Sequence, residues 1–192
     1  MSNSFFASDF FRFGSVLLSI IIFSALFTSR LKERTPGKII EVIAMITFGI
    51  TGFYSIVSFI MHFFFSDMVA SSIGWPLGNP FQKEVGGANL AVGLLGYLGF
   101  WRRDFWLPYV ISKTAFLWIA GITHVIDLLQ NNNLTTGNAG LTLYMDFIWP
   151  LIYILLLWLT KRYGEFPPKG FVHKSPQFYE EKSSLAKRSC SF

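Results

Sequence analysis

The chain has 192 residues, of which 52% are hydrophobic and only 14% are charged, and 22 of them are phenylalanine. A soluble domain carries about 25% charged residues, so this composition argues against a soluble protein. The net charge of +5 does not indicate nucleic-acid binding, because the basic residues flank apolar segments and form no basic face for phosphates. The single cysteine, Cys190, excludes a disulfide framework or a Cys-x-x-Cys metal site.

Five apolar segments follow one another along the chain, and a helix of about 20 residues spans the hydrocarbon core. The first segment covers residues 13–28, and it could begin at Phe10 or Phe11 with Arg12 reaching the interface. A cleaved signal peptide is the competing interpretation of this segment, although no A-x-A site precedes Arg30. We therefore predict an all-α polytopic transmembrane helix bundle of five helices, with an N-terminal helix beside a four-helix core. The core helices are predicted at residues 39–65, 85–101, 105–129 and 139–160.

The basic residues predict which helix ends face the cytoplasm. With the N-terminus outside, the cytoplasmic segments hold thirteen of the sixteen lysines and arginines: four between residues 30 and 38, two at Arg102 and Arg103, and seven from Lys161 onwards. Such an excess is typical of cytoplasmic loops. We expect an inner-membrane protein with residues 1–12 outside, a bundle at residues 13–161, and a flexible basic cytoplasmic tail at residues 162–192.

Ionisable residues inside apolar segments need a reason, because each costs at least about 2.5–3.5 kcal/mol at the bilayer centre. The fourth helix carries Lys113, His124 and Asp127 at helical spacing, so the three should share one face. Asp146 in the fifth helix and His62 in the second should reach a similar depth. These positions predict polar groups in the outer third of the membrane.

The third helix should add to this group. Its row of small and amide side chains is suited to close helix contact, and Glu84 lies near the predicted entrance. That row consists of Gln82, Gly86, Asn89, Gly93 and Gly96. In the second helix a polar stripe runs along one face, through Thr47, Thr51, Ser55, Ser58 and His62. The hypothetical ligand-binding set is therefore Glu84, Asn89, His124, Asp127, Asp146 and His62.

Several roles stay open for this set. The residues could bind a small molecule or relay a proton, hold a quinone oxygen, or bind a divalent metal, and they could equally pair with one another and fix helix positions. Deeper in the membrane, Glu41 is expected to pair with Lys113. The sequence does not identify a cofactor, and it shows no nucleophile–base pair or phosphate loop that would indicate an enzyme.

The two loops on the outer side should lie over this site. The segment at residues 71–84 is rich in glycine and proline and carries Trp75, so it is expected to be irregular and to cap the site. In the next outer loop Asn138 is expected to cap the fifth helix, with Gly140 following.

These loops and helices carry a resemblance. The segment IGWPLGNPFQKEVGGANLAVGLLG, followed by GITHVIDLL and NAGLTLYMDFIWP, resembles a family of small bacterial inner-membrane proteins of unassigned function, over residues 39–160. A shorter stretch, EVGGANLAVGLLGYLGFWRRDF, is similar to DoxX-like four-helix proteins, some of which are similar to subunits of quinone-linked oxidoreductases. The first resemblance picks out Pro80, Phe81, Glu84, Asn89, His124, Asn138, Gly140 and Asp146.

Three functions follow as expectations. The first is binding or passage of a small molecule or proton at the outer polar site. The second is a quinone-linked, redox-associated membrane subunit. The third is a structural or assembly partner within a membrane complex. The lipid bilayer is the expected partner in each case, with a small molecule, quinone or another membrane protein as further partners.

Overall fold

The computed structural model describes the backbone of residues 2–164 and the side chains of residues 13–164. Within this range the fold is all-helical, as predicted, and seven α-helices follow one another. They are α1 (Ser2–Ser29), α2 (Pro36–Phe64), α3 (Ser66–Ile73), α4 (Phe81–Leu98), α5 (Trp106–Asn131), α6 (Thr136–Ala139) and α7 (Leu141–Tyr163). The prediction of a flexible tail concerns residues that lie, from 165 onwards, outside the described part.

Three helical segments are long and apolar enough to cross a membrane, which is consistent with a membrane protein. They are Pro36–Phe64, Arg103–Asn131 and Thr136–Tyr163, and Phe13–Ser29 is a shorter apolar helix. The helix predicted at residues 85–101 corresponds to α4, which is not among these three segments, because its polar side chains Gln82, Lys83, Glu84 and Asn89 lower its hydropathy. The α1 helix begins at Ser2, well before residue 13, whereas α3 and α6 fall in segments that we predicted as loops. Both are short, and short helices leave a weak periodic pattern in a sequence.

Local sequence signals set several helix ends. Thr35 accepts a hydrogen bond from the backbone nitrogen of Lys38, and Pro36 occupies the first helical position of α2. Gly74 ends α3 in the left-handed conformation, with φ at 84°, which glycine adopts without steric cost. These signals separate α2 and α3 from the loops beside them.

The closest helix contact in the core joins α2 to α4 through glycine. A Cβ atom built on Gly93 would lie 2.9 Å from the carbonyl oxygen of Gly52 and from the backbone nitrogen of Ile56. One built on Gly96 would lie 2.8 Å from the Gly52 Cα atom. The prediction that this face of α4 suits close contact is therefore confirmed, and backbone packs directly on backbone along it.

Four buried aromatic side chains form a layer across the core, which we call the aromatic layer. It consists of Phe48, Trp106, Tyr109 and Tyr153, none more than 5% exposed. The Phe48 ring centroid lies 5.6 to 6.1 Å from those of the other three. The layer separates the two ends of the bundle, and we call them the basic end, with Arg103, and the loop end, with Trp75 and Asn138.

An ion pair closes the basic end. The Nη2 atom of Arg103 lies 2.7 Å from Oε2 of Glu41, whose side chain is 3% exposed. The predicted pair of Glu41 with Lys113 is therefore wrong, since Lys113 donates to Ser55 instead. Ser55 lies fourteen residues beyond Glu41 in α2, or about 21 Å along the helix axis. The prediction placed Lys113 at the wrong depth in the bundle, because the sequence does not show the axial position of α5 relative to α2.

We expect the Arg103→Leu variant to lose about 3 kcal/mol of unfolding free energy, because it leaves the buried Glu41 carboxylate without this guanidinium. The measurement is the thermal unfolding midpoint in detergent. Arg102→Leu is the matched control, since Arg102 is 65% exposed and pairs with the neighbouring Asp104. Its loss should stay below about 1 kcal/mol. Equal losses in the two variants would contradict the assignment of the ion pair.

Candidate functional site

His124 is held between two loops at the loop end. Its Nδ1 atom lies 2.8 Å from Oδ1 of Asn138, and its ring stacks on the Trp75 ring at 5.8 Å between centroids. Asn138 is fully buried and also donates to the backbone oxygens of His124, at 3.3 Å, and Asn133, at 2.9 Å. The imidazole is thus fixed on one ring nitrogen and one face.

The other ring nitrogen of His124 faces Asp146. The Nε2 atom lies 3.9 Å from Oδ2 of Asp146, and both side chains are largely buried. That carboxylate oxygen has no hydrogen-bond partner among the described residues. Gly121 makes room for it, because a Cβ atom at Gly121 would lie 3.1 Å from the Asp146 Cβ atom. Two of the predicted site residues therefore meet inside the bundle.

Lys113 lies below this pair, towards the aromatic layer. Its ammonium donates to the Ser55 hydroxyl at 2.8 Å and interacts electrostatically with Asp146. One helical turn further, Thr51 Oγ1 lies 2.7 Å from the Tyr109 hydroxyl, which belongs to the aromatic layer. The predicted polar stripe of α2 is thus buried at Thr51 and Ser55, and it faces polar groups of α5.

Trp75 covers the site from the loop end. Its indole Nε1 donates to Oδ2 of Asp127 at 2.8 Å, and Asp127 also accepts from Asn131 and Asn133. Asn133 in turn donates to the backbone oxygen of Ile73, so the two loops are joined to each other. Asp127 therefore secures the cap that was expected in this segment, and its oxygens are used by three donors outside the His124–Asp146 pair.

The remaining predicted residues lie elsewhere. His62 Nδ1 is 2.7 Å from Oε1 of Gln82, which joins α2 to α4. Asn89 is buried but donates to the oxygen of Val85 in its own helix. Glu84 is exposed, so it does not join the set. Gln82 is the first residue of the buried row of α4. Glu84, two positions later, points about 200° away from it around the helix and is therefore exposed.

Sequence reasoning missed the role of Asn138. Gly140 stands directly before α7 and no side chain caps that helix, so the predicted cap at Asn138 is wrong. Its amide binds His124 instead, because α6 places it inside the bundle. Pairing over fourteen residues leaves no local pattern, and the resemblance to a family was the one signal that picked out the position. For Gln82 the sequence predicted only a place in the row of α4 that contacts another helix, and its bond to His62 was missed.

No group of three or more histidine, cysteine, aspartate and glutamate side chains within the described residues could hold a metal ion. Two apolar grooves lie on the surface, with volumes of about 350 and 270 Å³. The larger runs between α5 and α7 past Thr114 and Trp118, and the smaller lies beside Phe23 and Phe100. Neither groove is lined by His124 or Asp146.

A helical bundle with three helices of membrane-spanning length and buried ionisable side chains defines a class: a membrane-type helix bundle with a polar core. The chain belongs to a family of unknown function, DUF6790, whose sequence profile matches residues 11–166. The match confirms the predicted resemblance to a family of unassigned function, while the shorter likeness to DoxX-like proteins stays a prediction. No curated protein and no solved structure matches the chain.

Proposed function

We propose that this protein is an integral membrane protein that binds and releases a proton at the His124–Asp146 pair. The observation that carries the proposal is the buried Asp146 oxygen, which has no hydrogen-bond partner among the described residues and faces His124 Nε2 at 3.9 Å. Ionisable groups inside membrane bundles are costly, and proton relays are among the roles that retain them.

The membrane arrangement that we propose has five crossing helices: α1, α2, α4, α5 and α7. An α4 helix of 18 residues is about 27 Å long and packs along α2, which supports its crossing. The lysines and arginines of the inter-helix segments gather at the basic end, and this supports a cytoplasmic location of that end. The N-terminus would then lie outside, in an inner membrane of bacterial type.

The groups around Asp146 suit a carboxyl group that gains and loses a proton better than one that stays charged. A carboxylate away from water needs a cation or a proton; His124 lies 3.9 Å from Asp146, and Lys113 interacts with it electrostatically at longer range. Histidine is a common proton donor and acceptor in proteins, and His124 faces the Asp146 carboxylate. The buried side chains of the aromatic layer lie between the site and the basic end.

The contacts of the pair suit a proton better than a larger ligand. Asn138 binds one ring nitrogen of His124, and Trp75 covers one face of the ring. Sites for drug-sized molecules usually have volumes of about 300–1,000 Å³, and the two apolar grooves described above do not include His124 or Asp146. We therefore favour a proton over a quinone at this position.

The test is infrared difference spectroscopy of the full chain in lipid nanodiscs while the pH is changed. We expect a carboxyl C=O band that appears as the pH falls and is lost in Asp146→Asn. Asp127→Asn is the matched control, because Asp127 lies nearby but is bound by three side-chain donors. Its spectrum should keep the band. A band that persists in Asp146→Asn would overturn the proposal.

A further inference from the structure

The orientation of the Asn138 amide follows from its partners. Its Nδ2 atom lies 3.3 Å from the backbone oxygen of His124 and 2.9 Å from that of Asn133. Carbonyl oxygens only accept hydrogen bonds, so the amide nitrogen must face both of them. The reversed amide would set three oxygen atoms against one another. The Asn138 amide oxygen therefore faces His124.

This orientation determines which ring nitrogen of neutral His124 carries hydrogen. The Asn138 oxygen lies 2.8 Å from Nδ1 and can only accept, so Nδ1 must donate. In the neutral ring the lone pair is then on Nε2, which faces the Oδ2 atom of Asp146. Both Nε2 and this carboxylate oxygen accept hydrogen bonds, so they interact favourably only when one proton is held between them.

We propose that Asn138 is a positioning residue: it fixes His124 as the Nδ1–H tautomer, so that His124 and Asp146 share a single exchangeable proton. This inference rests on the proposed function and specifies how its site works. The pair is either neutral imidazole with carboxylic acid or imidazolium with carboxylate. Proton release leaves imidazole and carboxylate, and the proton leaves from the Nε2 side.

The surroundings keep Asn138 and His124 in place. Gly137, the residue before Asn138, packs directly on the backbone of Ser72 at the end of α3, so α6 is seated there. Trp75 covers one face of the imidazole. A 180° flip of the ring would keep the stack but would place a carbon atom opposite the Asn138 oxygen, so the bond to Asn138 holds the ring orientation.

The charged groups near His124 come from two helices. Asp146 of α7 faces Nε2, while Lys113 and Asp127 belong to α5. At the same end α2 contributes His62, which is bonded to Gln82 of α4, and Glu84 of α4 is exposed. Asp146 is the one acidic group among these that lies opposite the free lone pair, so it is the partner for the proton.

Nitrogen-15 NMR of the full chain with labelled histidine, in lipid nanodiscs above the pH of protonation, tests the inference directly. The chain has three histidines, and the His124→Gln variant identifies the signal of interest. We expect wild-type His124 to show the Nδ1–H tautomer. A wild-type spectrum with the Nε2–H tautomer would overturn the inference without any further variant.

Two variants extend the test. Asn138→Leu should mix in the Nε2–H tautomer, because Nδ1–H loses the acceptor that favours it. Gln82→Leu is the matched control: it removes the partner of His62 and should leave the His124 signal unchanged. An unchanged tautomer in Asn138→Leu overturns the positioning role. If neither a carboxyl band nor an imidazolium signal appears in the wild type as the pH falls, with the tautomer as expected, the proposed function alone is refuted.

Discussion

Replacing Gly93 with leucine should cost about 3 kcal/mol or more of unfolding free energy, the upper range for an overpacked core. A Cβ atom at Gly93 would already lie 2.9 Å from the Gly52 oxygen and the Ile56 nitrogen. Both are backbone atoms of α2, so they cannot move aside as the end of a flexible side chain can. The two helices must separate, and water or lipid then reaches the polar core.

Gly87→Leu is the control for this prediction. Gly87 belongs to the same helix, but a Cβ atom there would have no neighbour within 4 Å. The measurement is the unfolding free energy in mixed micelles, with the thermal midpoint as a second reading. We expect Gly87→Leu to stay within about 0.5 kcal/mol of the wild type. If the two variants lose the same stability, α4 does not pack on α2 through Gly93.

Removing the charge of Lys113 should also destabilise the bundle. Lys113 is 8% exposed, and its ammonium donates to the Ser55 hydroxyl, with Asp146 at longer range. Lys113→Met keeps most of the side-chain length but removes this donor and a positive charge near Asp146. A hydrogen bond to a charged group contributes about 1.5–3 kcal/mol. We expect a loss in this range, measured at neutral pH in mixed micelles.

A double-mutant cycle separates this electrostatic loss from a loss of packing. Lys113→Met combined with Asp146→Asn removes both charges, so part of the lost stability should return. The expected coupling is about 1 kcal/mol, within the range for residues in one network. Asp127→Asn in the Lys113→Met background is the control, because Asp127 carries the same charge but is bound by Trp75, Asn131 and Asn133. Additive losses for Lys113 and Asp146 would show that the two do not interact.

Helical periodicity explains which features could be predicted from the sequence. The row from Gln82 to Gly96 repeats at three and four residues, and this spacing alone fixes it on one face of α4. The same rule excludes Glu84 from that face, an exclusion that we did not apply. Periodicity shows in which direction a residue points around its helix, and this direction is nearly sufficient to predict the glycine contact of α4.

Depth and long-range pairing could not be predicted in the same way. The partner of Lys113 depends on the axial position of α5 relative to α2, and no local sequence pattern indicates this position. Likewise, an asparagine before a helix usually caps it, and the preference for a cap misled the prediction for Asn138. Its burial by α6 is a property of the tertiary fold, so the residue that fixes His124 was found only in the structure.

The depth of Asp146 has an electrical consequence in the proposed membrane arrangement. Asp146 lies five residues, or about 8 Å, into α7, and the hydrocarbon core that α7 would cross is about 30 Å thick. A proton that reaches it from the loop end crosses roughly a quarter of the membrane. One charge crossing the whole membrane gains about 2.3 kcal/mol per 100 mV, so a proton at Asp146 gains about 0.6 kcal/mol. Membrane voltage would therefore shift the occupancy of this site by less than threefold.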